Sequence, residues 1–252
     1  MSSVDLMKLI QRNVLSLEPY HVEDNDCEIK LHANENPFPP SKELLDLFSA
    51  SLQKLQLNRY PDPDSKALKD SIANRLDIKT ERLVIGNGSD EIILFLLQVF
   101  CQEGDTIIFP EPTFAMYSII AQSLSIKSAS ISLDSQWNFN ADALLRSAEE
   151  NNSRIIFLSY PNNPTGNCFS DIQVQKVIES FQGIVVIDEA YHDFSRKSFI
   201  NQIEEHNNLV VLRSLSKIGL AALRVGFGVA DPLVINEINK VRLPYNSNTI
   251  SQ

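Results

Sequence analysis

Lys217 closes the run Val210-Val211-Leu212-Arg213-Ser214-Leu215-Ser216-Lys217, in which an apolar stretch gives way to hydroxyls and an amine. A lysine attacks carbonyls when desolvation or nearby positive charge lowers its amine pKa. The plain alternative is a solvated surface lysine, which describes most lysines. Gly219, Gly226 and Gly228 follow, so the backbone here can pass close to a ligand. Arg224 lies seven residues beyond Lys217, and a guanidinium grips a phosphate with two parallel hydrogen bonds.

Three other segments carry comparable groups. Val185-Val186-Ile187-Asp188-Glu189-Ala190-Tyr191 places Asp188 at the end of an apolar strand. A buried carboxylate there needs a cationic or hydrogen-bonded partner. A protonated cofactor ring nitrogen is one; the start of a following helix, capped by Asp188, is the other. Leu158 to Gly166 reads Leu-Ser-Tyr-Pro-Asn-Asn-Pro-Thr-Gly, a loop by composition. Its Asn163 offers an amide to a ligand oxygen, or is one residue of an ordinary turn. Val84-Ile85-Gly86-Asn87-Gly88-Ser89-Asp90-Glu91 runs from strand through glycines into a helix start. Such a start attracts phosphate to its free N–H groups, with the Ser89 hydroxyl beside them. The alternative is a glycine turn with Ser89 or Asp90 as N-cap.

The elements that must position these groups alternate along the chain. Strands are predicted at Leu83–Ile85, Thr106–Phe109, Ile126–Ile131, Ile155–Ser159, Ile184–Ile187, Leu209–Leu212 and Val225–Val229. Several are apolar throughout, as suits a sheet covered on both faces. Helices are predicted at Lys42–Leu55, Ser65–Leu76, Asp90–Cys101, Phe114–Ser123, Ala141–Asn151, Asp171–Phe181 and Pro232–Val241. This order implies an α/β/α three-layer domain on a mostly parallel, seven-stranded sheet. Ligands bind such sheets beyond the carboxyl ends of the strands. Residues 1–40 lack this periodicity and contain Asn36-Pro37-Phe38-Pro39-Pro40, which is neither helix nor central strand. They read as an N-terminal arm, with 41–252 as the large domain. No closing element follows Leu243-Pro244-Tyr245-Asn246, so a fragment lacking a C-terminal small domain is expected.

Composition narrows the partners. The 252 residues carry a net charge of −10, against the basic face that nucleic acid requires. Cys27, Cys101 and Cys168 form no paired motif, and His21, His32, His192 and His206 share no ligand spacing, so no metal site or disulfide framework is expected. The longest apolar stretch, Ile92 through Cys101, is too short to span a bilayer, and no signal peptide is apparent. A reduced cytoplasm is the expected compartment.

Taken in order, GNGSDE, PTFAMY, YPNNPTG, VIDEAY and SLSK followed by LRVG resemble the fold-type I pyridoxal-phosphate enzymes of the aminotransferase superfamily over nearly the whole chain. Within it, LHANENPFPP, Asn58-Arg59-Tyr60-Pro61-Asp62-Pro63 and VRLPYN look most like the histidinol-phosphate aminotransferases. The resemblance implies that Lys217 holds the cofactor covalently and shuttles the proton, and that Asp188 pairs with the protonated ring nitrogen. It implies that Asn163 and Tyr191 bond the ring oxygen and that Phe114 stacks on the ring. Ser89, Asp90, Ser214, Ser216 and Arg224 would hold the phosphate. Tyr60 would reach the phosphate in a neighbouring subunit, making a homodimer with shared sites. Tyr20 and Asn36 would lie near the substrate, and the arm would belong to a small domain. Many relatives space the lysine and arginine by eight; seven here reads as a one-residue loop variant. The implied reaction converts histidinol phosphate with 2-oxoglutarate or glutamate in histidine biosynthesis. The alternatives are an aromatic-amino-acid transaminase, a threonine-phosphate decarboxylase, or an inactive fragment that binds cofactor only.

Overall fold

The computed structural model describes residues 4–19 and 28–252. In chain order the described elements are α1 (Arg12–Leu15), α2 (Lys42–Leu52), α3 (Lys66–Leu76), β1 (Leu83–Asn87), α4 (Ser89–Phe100), β2 (Thr106–Glu111), α5 (Met116–Ser123), β3 (Lys127–Ser132), α6 (Ala141–Glu150), β4 (Ser153–Ser159), α7 (Asp171–Ser180), β5 (Ile184–Asp188), α8 (His192–Ser195), β6 (Leu209–Ser214), β7 (Val225–Val229) and α9 (Pro232–Val241). All seven predicted strands are present, and the predicted helices differ only at their ends. Phe114 precedes α5, whose N-cap is Ala115.

The strands form one sheet in the order β1-β7-β6-β5-β4-β2-β3. Every neighbouring pair is parallel except those of β7, which runs antiparallel to both β1 and β6. Successive strand residues point to opposite faces, and the two cores follow from that. Ile108, Ile156, Leu158, Val185, Ile187 and Val211 pack on the face covered by α3, α6 and α7. Ile107, Phe109, Phe157, Val186, Val210 and Leu212 pack on the face covered by α4, α5 and α9. Central strands therefore need apolar residues at every position, whereas edge strand β3 alternates between exposed and half-buried ones.

The N-terminal segment touches the α/β body. Asn13 Nδ2 donates to the Ser123 carbonyl at 2.9 Å, tying α1 to the end of α5. Residues 33–36 cross the ends of β5 and β6, as described below. The chain after α9 folds back too: Gln252 Nε2 donates to the Asp62 carbonyl at 2.9 Å and Ser65 Oγ at 3.0 Å.

Candidate active site

Four parallel strands, β1, β4, β5 and β6, end on one edge of the sheet, and antiparallel β7 begins there. Register places Val225 opposite Asn87 and Gly226 opposite Ser214. Arg224, one residue before β7, is thereby delivered to the start of α4. Its carbonyl accepts Gly88 N–H at 2.6 Å. The approach depends on glycine: a Cβ on Gly226 would lie 2.2 Å from the Ser89 nitrogen, and one on Gly88 2.4 Å from Arg224 Nη2. Gly88 also holds φ +84°, where an L side chain is strained.

These contacts make an anion cup. Gly88 is the N-cap of α4, which corrects the alternative in which Ser89 or Asp90 caps the helix. Ser89 and Asp90 are instead its first two helical residues, so their N–H groups have no intrahelical partner and lie at the positive end of the helix dipole. Across the cup, Ser214 Oγ donates to Ser216 Oγ at 2.9 Å and accepts Ser216 N–H at 3.1 Å. Arg224 spans the gap, with Nη1 3.5 Å from Ser216 Oγ and Nη2 3.3 Å from Asp90 Oδ2. Between Lys217 and Arg224 the chain makes two 3-10 turns, Ser216–Ile218 and Ala221–Leu223, with Gly219 at φ +102° between them and Arg224 itself at φ +52°.

Asp188 ends β5 and is 4% exposed. Its Oδ2 accepts the Tyr117 hydroxyl at 2.8 Å, and its Oδ1 accepts Ala190 N–H at 3.1 Å. The following helix, α8, is capped at Tyr191 instead, so Asp188 is not a helix cap. Burial pushes its carboxyl up to about 6, although the Tyr117 and Ala190 hydrogen bonds pull down and Asp90 and Glu189 push further up. No cation compensates it among the described residues. Tyr117 is fully buried, stacked on Phe157 at 4.7 Å between centroids, and its phenol is pushed well above the ordinary tyrosine range, chiefly by burial.

Lys217 lies on the 3-10 turn just beyond β6, half-buried. Its Nζ donates to the Ala33 carbonyl at 2.9 Å and sits 5.5 Å from the centre of the Tyr191 ring. Tyr191 Oη accepts Asn34 Nδ2 at 2.9 Å. Asn36 lies above the lysine loop, its Nδ2 3.3 Å from where a Gly219 Cβ would stand. Asn163 follows β4; its backbone N–H points to Ser159 Oγ at 3.3 Å, and its amide side chain is without a hydrogen-bond partner among the described residues. Phe114 is half-buried and meets Tyr117 edge-on at 5.5 Å.

Tyr60, expected to serve a neighbouring subunit, stands apart from the site of its own chain. Tyr60 is 80% exposed and stacks on Tyr245 at 4.6 Å, with no hydrogen bond to the cup of its own chain. Tyr20 lies outside the described residues. Conversely, the site contains groups that sequence reasoning missed. Tyr117 was legible only as the residue one helical turn after Phe114 in PTFAMY. Glu189, adjacent to Asp188, is buried against Arg213 with a 2.9 Å ion pair and also accepts Phe199 N–H at 2.7 Å. That pair follows from the register Asp188↔Leu212, which sets the next residues side by side.

The arrangement fits pyridoxal phosphate. It has an anion cup that depends on Gly88 and Gly226, a buried carboxylate without a cation among the described residues, an amine just beyond the neighbouring strand, and the unpartnered amide of Asn163. A separate groove of about 760 Å³, lined by Tyr160, Asp171, Gln175, Lys197 and Gln202 among others, contains none of these groups. Among the described residues, no helix is long and apolar enough to cross a membrane.

The sequence matches the family described as Aminotransferase class I and II over residues 27–252. It is 39% identical over 244 residues to histidinol-phosphate aminotransferase 2 of Nitrosococcus oceani, covering 96% of this chain and 68% of that one. It is likewise 39% identical over 262 residues to the histidinol-phosphate aminotransferase of Flavobacterium johnsoniae, covering 100% of this chain and 70% of that protein. The histidinol-phosphate aminotransferase of Sinorhizobium meliloti, solved in complex with pyridoxal-5'-phosphate, shares the fold with a TM-score of 0.80 at 20% identity, covering 87% of this chain and 60% of that one. The chain therefore spans about two thirds of the length of the curated relatives it matches.

Proposed function

From its membership of the class I and II aminotransferase family, we propose that this chain carries out transamination with pyridoxal phosphate. Histidinol phosphate with 2-oxoglutarate or glutamate is the substrate pair, in histidine biosynthesis. The observation that carries the reading is Asp188: a buried carboxylate, its carboxyl pushed up to about 6, hydrogen-bonded but unmatched by any cation among the described residues. A protonated pyridine nitrogen supplies the missing charge.

When bound, the cofactor supplies an electron sink for charge developing at the substrate α-carbon. The protein's residues do the rest. Asp188 keeps the ring nitrogen protonated, and Tyr117 orients the carboxylate toward it. The N–H groups of Ser89 and Asp90, the hydroxyls of Ser214 and Ser216, and Arg224 bind the phosphate. Asn163 and Tyr191 donate to the ring oxygen, and Phe114 covers a ring face. Lys217 Nζ would hold the cofactor, and as a free amine it would take the substrate α-proton as general base and then donate a proton as general acid. Lys217 must leave the Ala33 carbonyl to act.

Asn36 and Tyr20 belong to the substrate side in this reading. The protein is a cytoplasmic homodimer with shared sites; the exposure of Tyr60 and of Leu45 and Leu47 on α2 supports a partner surface. The curated relatives favour histidinol phosphate over an aromatic amino acid or threonine phosphate, which would use the same Lys217 and Asp188.

Borohydride reduction of the cofactor-loaded chain, followed by peptide mapping, tests the site. A pyridoxyl adduct is expected on Lys217 and disappears in Lys217→Ala. An adduct confined to another lysine refutes the assignment. Amino-donor assays with histidinol phosphate, phenylalanine and threonine phosphate test the substrate, and preference for either of the last two refutes that part.

A further inference from the structure

The anion cup is supported from outside by a residue in the segment after α9. Asn246 Nδ2 donates to the Ile85 carbonyl at 3.1 Å and to Glu91 Oε2 at 2.6 Å, while its Oδ1 accepts Arg242 Nη1 at 3.0 Å. Both amide hydrogens and the amide oxygen are thus used. Glu91 Oε2 also accepts Asn87 N–H at 2.7 Å, reaching back across the first turn of α4. Arg242 is anchored in turn by the Pro63 carbonyl at 2.9 Å and by Asp64 at 3.6 Å.

The bonds of Asn246 and Glu91 bracket the turn on both sides. One holds β1 at its middle residue, Ile85. The others hold Glu91 and, through it, Asn87. Between these points lie Gly86, where a Cβ would meet Ile92, and Gly88, where one would meet Arg224, and the flexibility of these glycines would otherwise let the turn drift. The N–H groups of Ser89 and Asp90 point into the cup only while that turn stays in place.

We infer that Asn246 is a positioning residue that sets the phosphate affinity of the site by fixing the 86–89 turn through Glu91. The inference rests on the pyridoxal-phosphate reading above and adds to it a residue that touches neither cofactor nor substrate. Aspartate at this position would turn a carboxylate oxygen toward two acceptors, the Ile85 carbonyl and Glu91. Alanine would leave Glu91 with Asn87 alone on that oxygen.

The test compares binding of pyridoxal phosphate and of pyridoxal, which lacks the phosphate, by absorbance titration of the cofactor-free 252-residue chain and of Asn246→Ala and Asn246→Asp. Loss of a hydrogen bond to a charged acceptor predicts a fall of roughly ten- to a hundredfold in affinity for pyridoxal phosphate. Affinity for pyridoxal should stay within about twofold, since the ring-binding residues are untouched. Equal losses for both ligands, or no loss for either, overturn the inference. Two variants that both fail to fold overturn it as well, because Asn246 would then support the fold rather than the turn. If the wild-type chain itself binds neither compound, the pyridoxal-phosphate reading falls and the inference falls with it. That result is distinct because it appears before any substitution.

Discussion

Replacing Asp188 by asparagine should stabilise the cofactor-free chain while removing its chemistry. The carboxyl of Asp188 is pushed from 3.8 to about 6, chiefly by burial. The folded chain therefore binds a proton more tightly than the unfolded chain does, and at neutral pH it gives that advantage up. Two units of pKa, at 1.36 kcal/mol each, amount to a destabilisation of about 3 kcal/mol. Below pH 4 the group is protonated in both states and the cost vanishes. It grows as pH rises through 4 to 6, then stays constant. Asparagine carries no charge to desolvate, and the geometry accommodates it: Oδ1 keeps Ala190 N–H, and Nδ2 can donate to the Tyr117 oxygen once the Tyr117 hydroxyl hydrogen turns to the adjacent Ser159 hydroxyl. Urea unfolding of both cofactor-free proteins between pH 4 and 8 should show the variant more stable at pH 7.5, with a gap that closes toward pH 4. Pyridoxal phosphate should reverse the order, because only the carboxylate gains from a protonated ring nitrogen. A variant less stable than wild type at pH 7.5 without cofactor, or a gap independent of pH, would show that Asp188 is already compensated and refute the reasoning.

Gly226→Ala should reduce pyridoxal-phosphate affinity by about tenfold or more, since its Cβ meets Ser89 nitrogen at 2.2 Å and pushes the α4 start away; unchanged affinity in a titration would contradict the tight approach of β7 to the cup. Arg213→Ala should cost roughly 3–5 kcal/mol in urea unfolding at pH 7.5, because it strands the buried Glu189 charge. The penalty should shrink toward pH 4.5 as Glu189, whose carboxyl burial already pushes up, takes a proton. A loss below about 1 kcal/mol at pH 7.5 would mean that the pair is solvated.

The order of the strands' polar ends was legible in the sequence, because each lies just after an apolar run. That placed Asp188, Lys217, Asn163 and the Gly86–Gly88 turn on one edge, since parallel strands share a direction. Lys217 by itself looked like any surface lysine, and its neighbours Ser214 and Arg224 singled it out. Element types were legible as well, because central strands buried on both faces leave unbroken apolar runs. What the sequence did not decide was contact between distant segments. Tyr117 reaches Asp188 only because α5 packs on the same sheet face as Phe157, and Glu189 meets Arg213 only through the β5–β6 register. Asn246 touches Glu91 because the segment after α9 folds back on β1. Periodicity reports which face of an element is apolar, not which element covers it. Partners 24 to 155 residues apart, as Arg213 and Asn246 are from theirs, are set by packing and register. The chemistry of Lys217 and Asp188 was thus written in residue type and local spacing. The glycine-dependent closeness of β7 to α4, which turns separate donors into a cup, was decided by the tertiary structure, where two backbones approach within the space of one methyl group.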